Sequence, residues 1–101
     1  MKLVLIKKGD NIANLSRQMG YKLIKFDDWE NEYNLVRPLS GDNYPRFHLY
    51  IKEENNNWNF NLHLDQKRPS YEGSSAHSGE YGGELVEEEM ERIKTFLNKS
   101  I

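Results

Sequence analysis

The chain contains no cysteine. That removes disulfide scaffolds, thiolate zinc sites and cysteine nucleophiles from consideration. Long apolar runs are missing too. The strongest, Leu3-Val4-Leu5-Ile6, spans four residues, against about 7–15 for the core of a secretory signal and roughly 20 for a membrane helix. A cytoplasmic protein with no membrane partner is therefore the expectation. There is no basic excess: 14 Lys and Arg against 16 Asp and Glu leave a net charge of −2. Dedicated nucleic-acid binders usually carry surplus cations to neutralise phosphates. The charge thus disfavours a nucleic-acid partner but leaves room for a local basic patch. Aromatic residues are not scarce, at 12% of a chain that is 37% hydrophobic, which argues against global disorder. The 101 residues suit a single domain spanning the whole chain, able to bury roughly two-thirds of its unfolded surface. Nothing in the composition sets the oligomeric state.

What is present is organised by period. Leu3–Ile6 reads as a short buried strand. Asp10 is a suitable N-cap for a helix over Asn11–Met19, in which Ile12, Leu15 and Met19 share one face and Gly20 suits the left-handed end. Tyr21–Phe26 and Tyr33–Arg37 read as strands joined across Asp27–Glu32. In Arg46–Lys52 the apolar residues Phe47, Leu49 and Ile51 alternate with polar ones; in Trp58–Asp65, Trp58, Phe60, Leu62 and Leu64 do the same. Period two with one apolar face marks half-buried antiparallel strands. Residues 68–83 are polar, rich in Gly and Ser and without period, and read as a long loop. A closing helix begins near Glu84. Val86, Met90, Ile93 and Leu97 form its apolar stripe, Glu84, Glu87, Glu88 and Glu89 sit toward its positive end, and Lys94 and Lys99 toward its negative end. The fold class is α+β: an antiparallel sheet of about four strands, the first strand being the least defined, with two helices on one face.

The central hairpin carries a geometric inference. Directly opposed residues point the same way, so Phe47, Leu49 and Ile51 share the buried face with Trp58, Phe60, Leu62 and Leu64. A two-residue turn at Asn55-Asn56 sets His48 opposite His63; a turn at Asn56-Asn57 sets it opposite Asp65. A one-residue slip between them would turn the core to water. Either way His48, His63 and Asp65 share the face away from the helices, with Tyr50 and Asn61 beside them. The third histidine, His77, joins this group if the long loop folds back, and brings Tyr71, Glu80 and Tyr81 with it. The plain alternative is a solvent-facing set of cross-strand pairs, worth a few tenths of a kcal/mol each.

Two chemistries suit these residues. His48, His63, Asp65 and His77 offer nitrogen and oxygen donors for zinc, manganese or iron. Without metal, one histidine would serve as base and another as acid on a phosphodiester, with Arg46, Lys52, Lys67 and Arg68 to steady phosphate charge. Tyr50, Tyr71 and Tyr81 complete the candidate substrate-binding set. Gly79–Gly83 ahead of a helix would offer amides to an anion, but the glutamates that follow would repel it. The leading functional expectation is a small hydrolase or RNA- or phosphodiester-processing protein, with a divalent metal as candidate cofactor. The rival is a non-catalytic binding or interaction module.

Tyr44-Pro45-Arg46-Phe47-His48-Leu49-Tyr50, Asn61–Lys67, Pro69–Gly73 and Ala76–Tyr81 together resemble a family of small uncharacterised microbial proteins. The likeness covers most of the chain from Gly9 onward and implies no known activity. A looser resemblance is to HicA-type toxins, RNA-cleaving proteins with a double-stranded-RNA-binding-like fold. It rests on a first helix ending in Gly20-Tyr21, on His48 followed by Tyr50 in a central strand, and on the closing helix. It implies that His48 is catalytic. The chain departs from that family in having Arg46-Phe47 where the family has Gly-Ser, in its acidic charge and in the added stretch 68–83. Lys8-Gly9-Asp10-Asn11-Ile12 is similar to the opening of LysM modules, but their second helix has no counterpart in Lys22–Ser40.

Overall fold

The computed structural model describes residues 1–66 and 83–99. The elements run β1 (Lys2–Ile6), α1 (Ile12–Met19), β2 (Lys22–Asp27), β3 (Glu32–Pro38), β4 (Arg46–Glu54), β5 (Asn57–Asp65) and α2 (Gly83–Lys99). All strands belong to one five-stranded antiparallel sheet in the order β1-β5-β4-β3-β2. The expected sheet of about four strands thus gains a fifth, because Lys2–Ile6 pairs along Asn57–Asn61. Its apolar run does not alternate, so period two did not reveal it. In place, it does alternate: Leu3 and Leu5 turn toward the core while Val4 and Ile6 stay exposed.

Helix α1 starts one residue later than the sequence suggests. Its N-cap is Asn11, not Asp10: the Asn11 side chain accepts the Asn14 N–H at 2.9 Å. Either residue type can cap, and Ile12 is the first side chain to reach the core. Gly20 closes the helix at φ 77°, a left-handed conformation that costs glycine little. Its N–H donates to Arg17 O at 3.2 Å, and the next, from Tyr21, to Ser16 O at 2.9 Å.

Alternation runs unbroken through Arg46–Lys52 of β4 and the whole of β5. Phe47, Leu49, Ile51, Trp58, Phe60, Leu62 and Leu64 are all buried, and their neighbours are half-buried on the opposite face. Leu15 and Met19 of α1 and Met90, Ile93 and Leu97 of α2 join the same core cluster. Both helices therefore cover one face of the sheet. No helix among the described residues is long and apolar enough to cross a membrane.

The β4–β5 turn sets the register. Asn55 and Asn56 sit at φ 52° and 64°, the two positive angles of a type I′ hairpin turn, whose twist matches that of the strands. Of the two registers open to the sequence, this turn selects the one with His48 opposite His63. Replacing Asn56 with a β-branched residue should strain that angle. Asn56→Val is expected to lower the unfolding free energy by about 1–2 kcal/mol, and Asn56→Gly to preserve or raise it. Urea midpoints of the two variants check this.

One polar cluster lies inside the fold. Glu89 is 3% exposed. Arg37 grips its carboxylate from β3, donating from Nε at 3.1 Å and from a terminal nitrogen at 2.9 Å. Arg92 grips it from the next turn of α2 with two bonds of 2.9 Å and also donates to Met19 O at 2.6 Å. The Tyr21 hydroxyl donates to it at 2.6 Å. Strand β3, helix α2 and the α1–β2 junction thus meet on one carboxylate. Glu89 is therefore not one of the dipole-facing acids of the first turn, as its neighbours in sequence suggested; only Glu84 lies there. Burial alone would raise the Glu89 pKa, but the bonds from Arg92, Arg37 and Tyr21 outweigh it and bring the carboxyl down to about 2. Burial and the adjacent carboxylate together push the Tyr21 phenol well above its ordinary range.

Candidate functional site

The hairpin register puts His48 directly opposite His63, and Arg46 opposite Asp65. These side chains lie on the sheet face away from both helices. His48 is held at both ring nitrogens. Its Nδ1 is 3.0 Å from Asp65 Oδ2, diagonally across the strands, and its Nε2 is 3.1 Å from Asn34 Oδ1 on β3. The Tyr50 ring stacks on it, with centroids 4.3 Å apart and planes 13° off parallel. His63 meets the same Tyr50 ring edge-on at 5.6 Å. Period two explains the set: His48 and Tyr50 are two apart on β4, His63 and Asp65 two apart on β5.

The electrostatics follow from that geometry. The hydrogen bond from His48, supplemented by its charge and by Arg46, holds the Asp65 carboxyl below the usual carboxylate range, against the opposing pull of burial. Arg46 reaches Asp65 Oδ2 at 3.4 Å and lies over the Tyr44 ring at 4.5 Å. Burial, then the charges of Asp65 and Glu32, raise the Tyr50 phenol. Asp65 should therefore keep its charge to unusually low pH. Removing the His48 hydrogen bond, in His48→Ala, is expected to move the Asp65 titration up toward the ordinary range, as followed by its side-chain carboxyl carbon shift. A midpoint unchanged by that substitution would contradict the assignment.

Chemically, His48 is a titratable ring tethered at both nitrogens. Asp65 fixes the ring through Nδ1. Nε2 faces an amide that suits either protonation state: an imidazolium donates to Asn34 Oδ1, and a neutral ring accepts from the same amide turned end for end. Asn34 did not figure among the sequence candidates. The signal was there: as the outward residue between Tyr33 and Leu35, it belongs to the face of Tyr50, its register partner.

His48, His63, Asp65, Arg46 and Tyr50 are thus brought together, and Asn61 sits beside them opposite Tyr50. His77, Lys67, Tyr71 and Tyr81, with nearly all of the expected loop, lie outside the described residues; Gly83, its last residue, opens α2. Among the described residues no three His, Cys, Asp or Glu are grouped to hold a metal ion, so His48, His63 and Asp65 do not by themselves form the expected zinc or manganese site, and its fourth member, His77, lies outside the described residues. A groove of about 210 Å³ is lined by His63 together with Met1, Leu62, Leu64, Gly83, Val86 and Glu87. Comparison with known protein families, with curated proteins and with solved structures finds no match for this chain.

Proposed function

We propose that this sheet face binds an RNA phosphodiester and cleaves it by acid–base chemistry, with His48 and His63 exchanging protons and Asp65 orienting His48. One observation carries the reading: a histidine fixed through Nδ1 by a carboxylate at 3.0 Å stands directly opposite a second histidine. In the reaction, one imidazole takes the proton of a ribose 2′-hydroxyl and the 2′-oxygen bonds to phosphorus. The bond from phosphorus to the 5′-oxygen breaks, and the other histidine, as imidazolium, protonates the leaving oxygen. The products are a 2′,3′-cyclic phosphate and a 5′-hydroxyl. Arg46 supplies positive charge beside the site, a local answer to the net charge of −2. The resemblance of His48 and Tyr50 to the HicA-type pattern supports the same substrate class.

The test is a panel of RNA and simple phosphodiester substrates, offered to untagged protein with and without a chelator. Cleavage that survives chelation and vanishes in His48→Ala supports the proposal. Cleavage lost on chelation and restored by zinc or manganese makes the site a metal-dependent hydrolase, with His48, His63, Asp65 and His77 as its candidate ligands. Equal cleavage by wild type and His48→Ala removes the acid–base reading.

A second reading has an observation of its own. Both nitrogens of His48 already have partners, and Tyr50 covers the ring, the condition of a histidine that shapes a surface. On that reading the face is a non-catalytic docking surface, and no substrate in the panel is turned over.

A further inference from the structure

We propose that the free edge of β2 is a self-pairing surface, through which two copies of the chain join into one continuous antiparallel sheet. Among the described residues β2 ends the sheet on the side opposite β1. An end strand presents unpaired amides and carbonyls, a ready template for another strand. Here it also exposes apolar side chains in sequence: Leu23 at 41%, Ile24 at 46%, Phe26 at 42%, and in the following turn Trp29 at 93%. Single exposed apolar residues are ordinary. A contiguous group at an unpaired edge is the signature of a contact surface.

The partner is identified by the strand's own pattern. Leu23 pairs with Leu35 and Phe26 with Tyr33, so both lie on the helix-covered face. Lys22 pairs with Val36, the register partner of His48, and Lys25 with Asn34, so these two lie on the opposite face with Asp27. Ile24 is the extra residue of a bulge between Leu23 and Lys25. Consider a second β2 laid antiparallel alongside. With Lys22 opposite the partner's Asp27, Leu23 falls opposite the partner's Phe26; both of these pairs share a face, and the bulge residue Ile24 falls opposite the partner's Lys25. The two-fold axis repeats both contacts. Sliding one residue sets inward against outward side chains; sliding two sets Lys22 against the partner's Lys25 in one direction and outward Lys25 against the partner's inward Phe26 in the other. Bulges and edge lysines usually block indiscriminate pairing. In this strand they leave a single register, complementary in charge and in apolar surface. Asp27 Oδ1 accepts the N–H groups of Trp29 and Glu30 at 3.0 and 3.2 Å, and among the described residues Oδ2 is left for the partner's ammonium. The register also carries Trp29 toward the partner's Gly20 and Tyr21.

Sedimentation velocity on the full chain, from micromolar to submillimolar concentration, should show a species of twice the 12.0 kDa chain mass. Lys22→Glu sets like charges opposite each other at both ends of the strand. It should weaken association about tenfold or more while the far-ultraviolet circular dichroism stays that of wild type. Register is read by cross-linking, which is unambiguous in a chain without cysteine. Equimolar Leu23→Cys and Phe26→Cys, mixed and oxidised, should give a disulfide-linked dimer; Leu23→Cys with Lys25→Cys should not. A wild-type monomer throughout the range overturns the proposal, as does an unchanged Lys22→Glu dimer or cross-linking in the second mixture alone. The edge is separated from His48 by β3, so phosphodiester cleavage and association are read independently.

Discussion

Glu89→Ala is expected to lower the unfolding free energy by about 3–5 kcal/mol, the range for removing one partner of a buried ion pair. The reason is what stays behind. Arg37 and Arg92 each lose two bonds, and the Tyr21 hydroxyl loses its acceptor. Each arginine keeps 30% of its side chain exposed, so single losses of Arg37 or Arg92 should cost less than loss of the carboxylate they share. Leaving Glu89 paired with one arginine keeps it neutralised; leaving two arginines without it does not. Equilibrium urea unfolding measures all three variants. A Glu89→Ala change under about 0.5 kcal/mol, the size of an ordinary surface substitution, would show that the cluster is not a keystone.

The same carboxylate makes a pH prediction whose sign is fixed. Its pKa falls from an ordinary 4.5 to about 2 on folding. A depressed folded value means the unfolded chain takes up the proton first. The stabilisation is therefore complete above about 4.5 and is lost as the pH drops from there toward 2. It is worth on the order of 3 kcal/mol. Glu89→Gln should be less stable than wild type at neutral pH and should lose that part of the acid dependence.

His48→Ala and His63→Ala are each expected to slow phosphodiester cleavage by about 10²–10⁴-fold, the usual worth of a placed proton-transfer group. If the two histidines act in one step, the double variant should be little worse than the poorer single one, because groups that work as a unit are not additive. The rate should follow a bell-shaped pH profile, since the step needs one histidine neutral and the other charged. Asp65→Asn should cost less than His48→Ala: the ring stays in place on Tyr50 and Asn34 but loses the carboxylate that orients it. Single-turnover rates separate these variants. Losses that simply multiply in the double variant would mean independent structural effects.

Much of this was readable from residue types in order. Alternation in β4 and β5 fixed which face each residue takes, and the run Asn55-Asn56-Asn57, of a residue type able to adopt positive φ, narrowed the register to two choices. The structure chose between them, and Asp65 still reaches His48, diagonally instead of directly. The Glu89 cluster is also legible in the sequence. Alternation along β3 puts Arg37 on the core face with Tyr33 and Leu35, and helical spacing puts Glu89 on the stripe of Val86, Met90 and Ile93. Opposite charges at two core-facing positions announce a pair. The run of glutamates hid it, because one helix end explained all four at once. β1 was under-read for a different reason: a run with no polar residues has no period, and only the pairing with β5 reveals which side chains turn inward. Where His77 stands relative to this face is a matter of chain path, which no local periodicity encodes.

The joining of His48, His63 and Asp65 into one site is tested most directly by nitrogen-15 spectra of the histidine rings, with ring-to-ring proton Overhauser effects. The prediction is a His48 ring protonated at Nδ1, perturbed by Asp65→Asn, with both His48 and His63 ring protons giving cross-peaks to Tyr50. A His48 ring that behaves as a free imidazole, blind to Asp65→Asn and without a cross-peak to Tyr50, would contradict it.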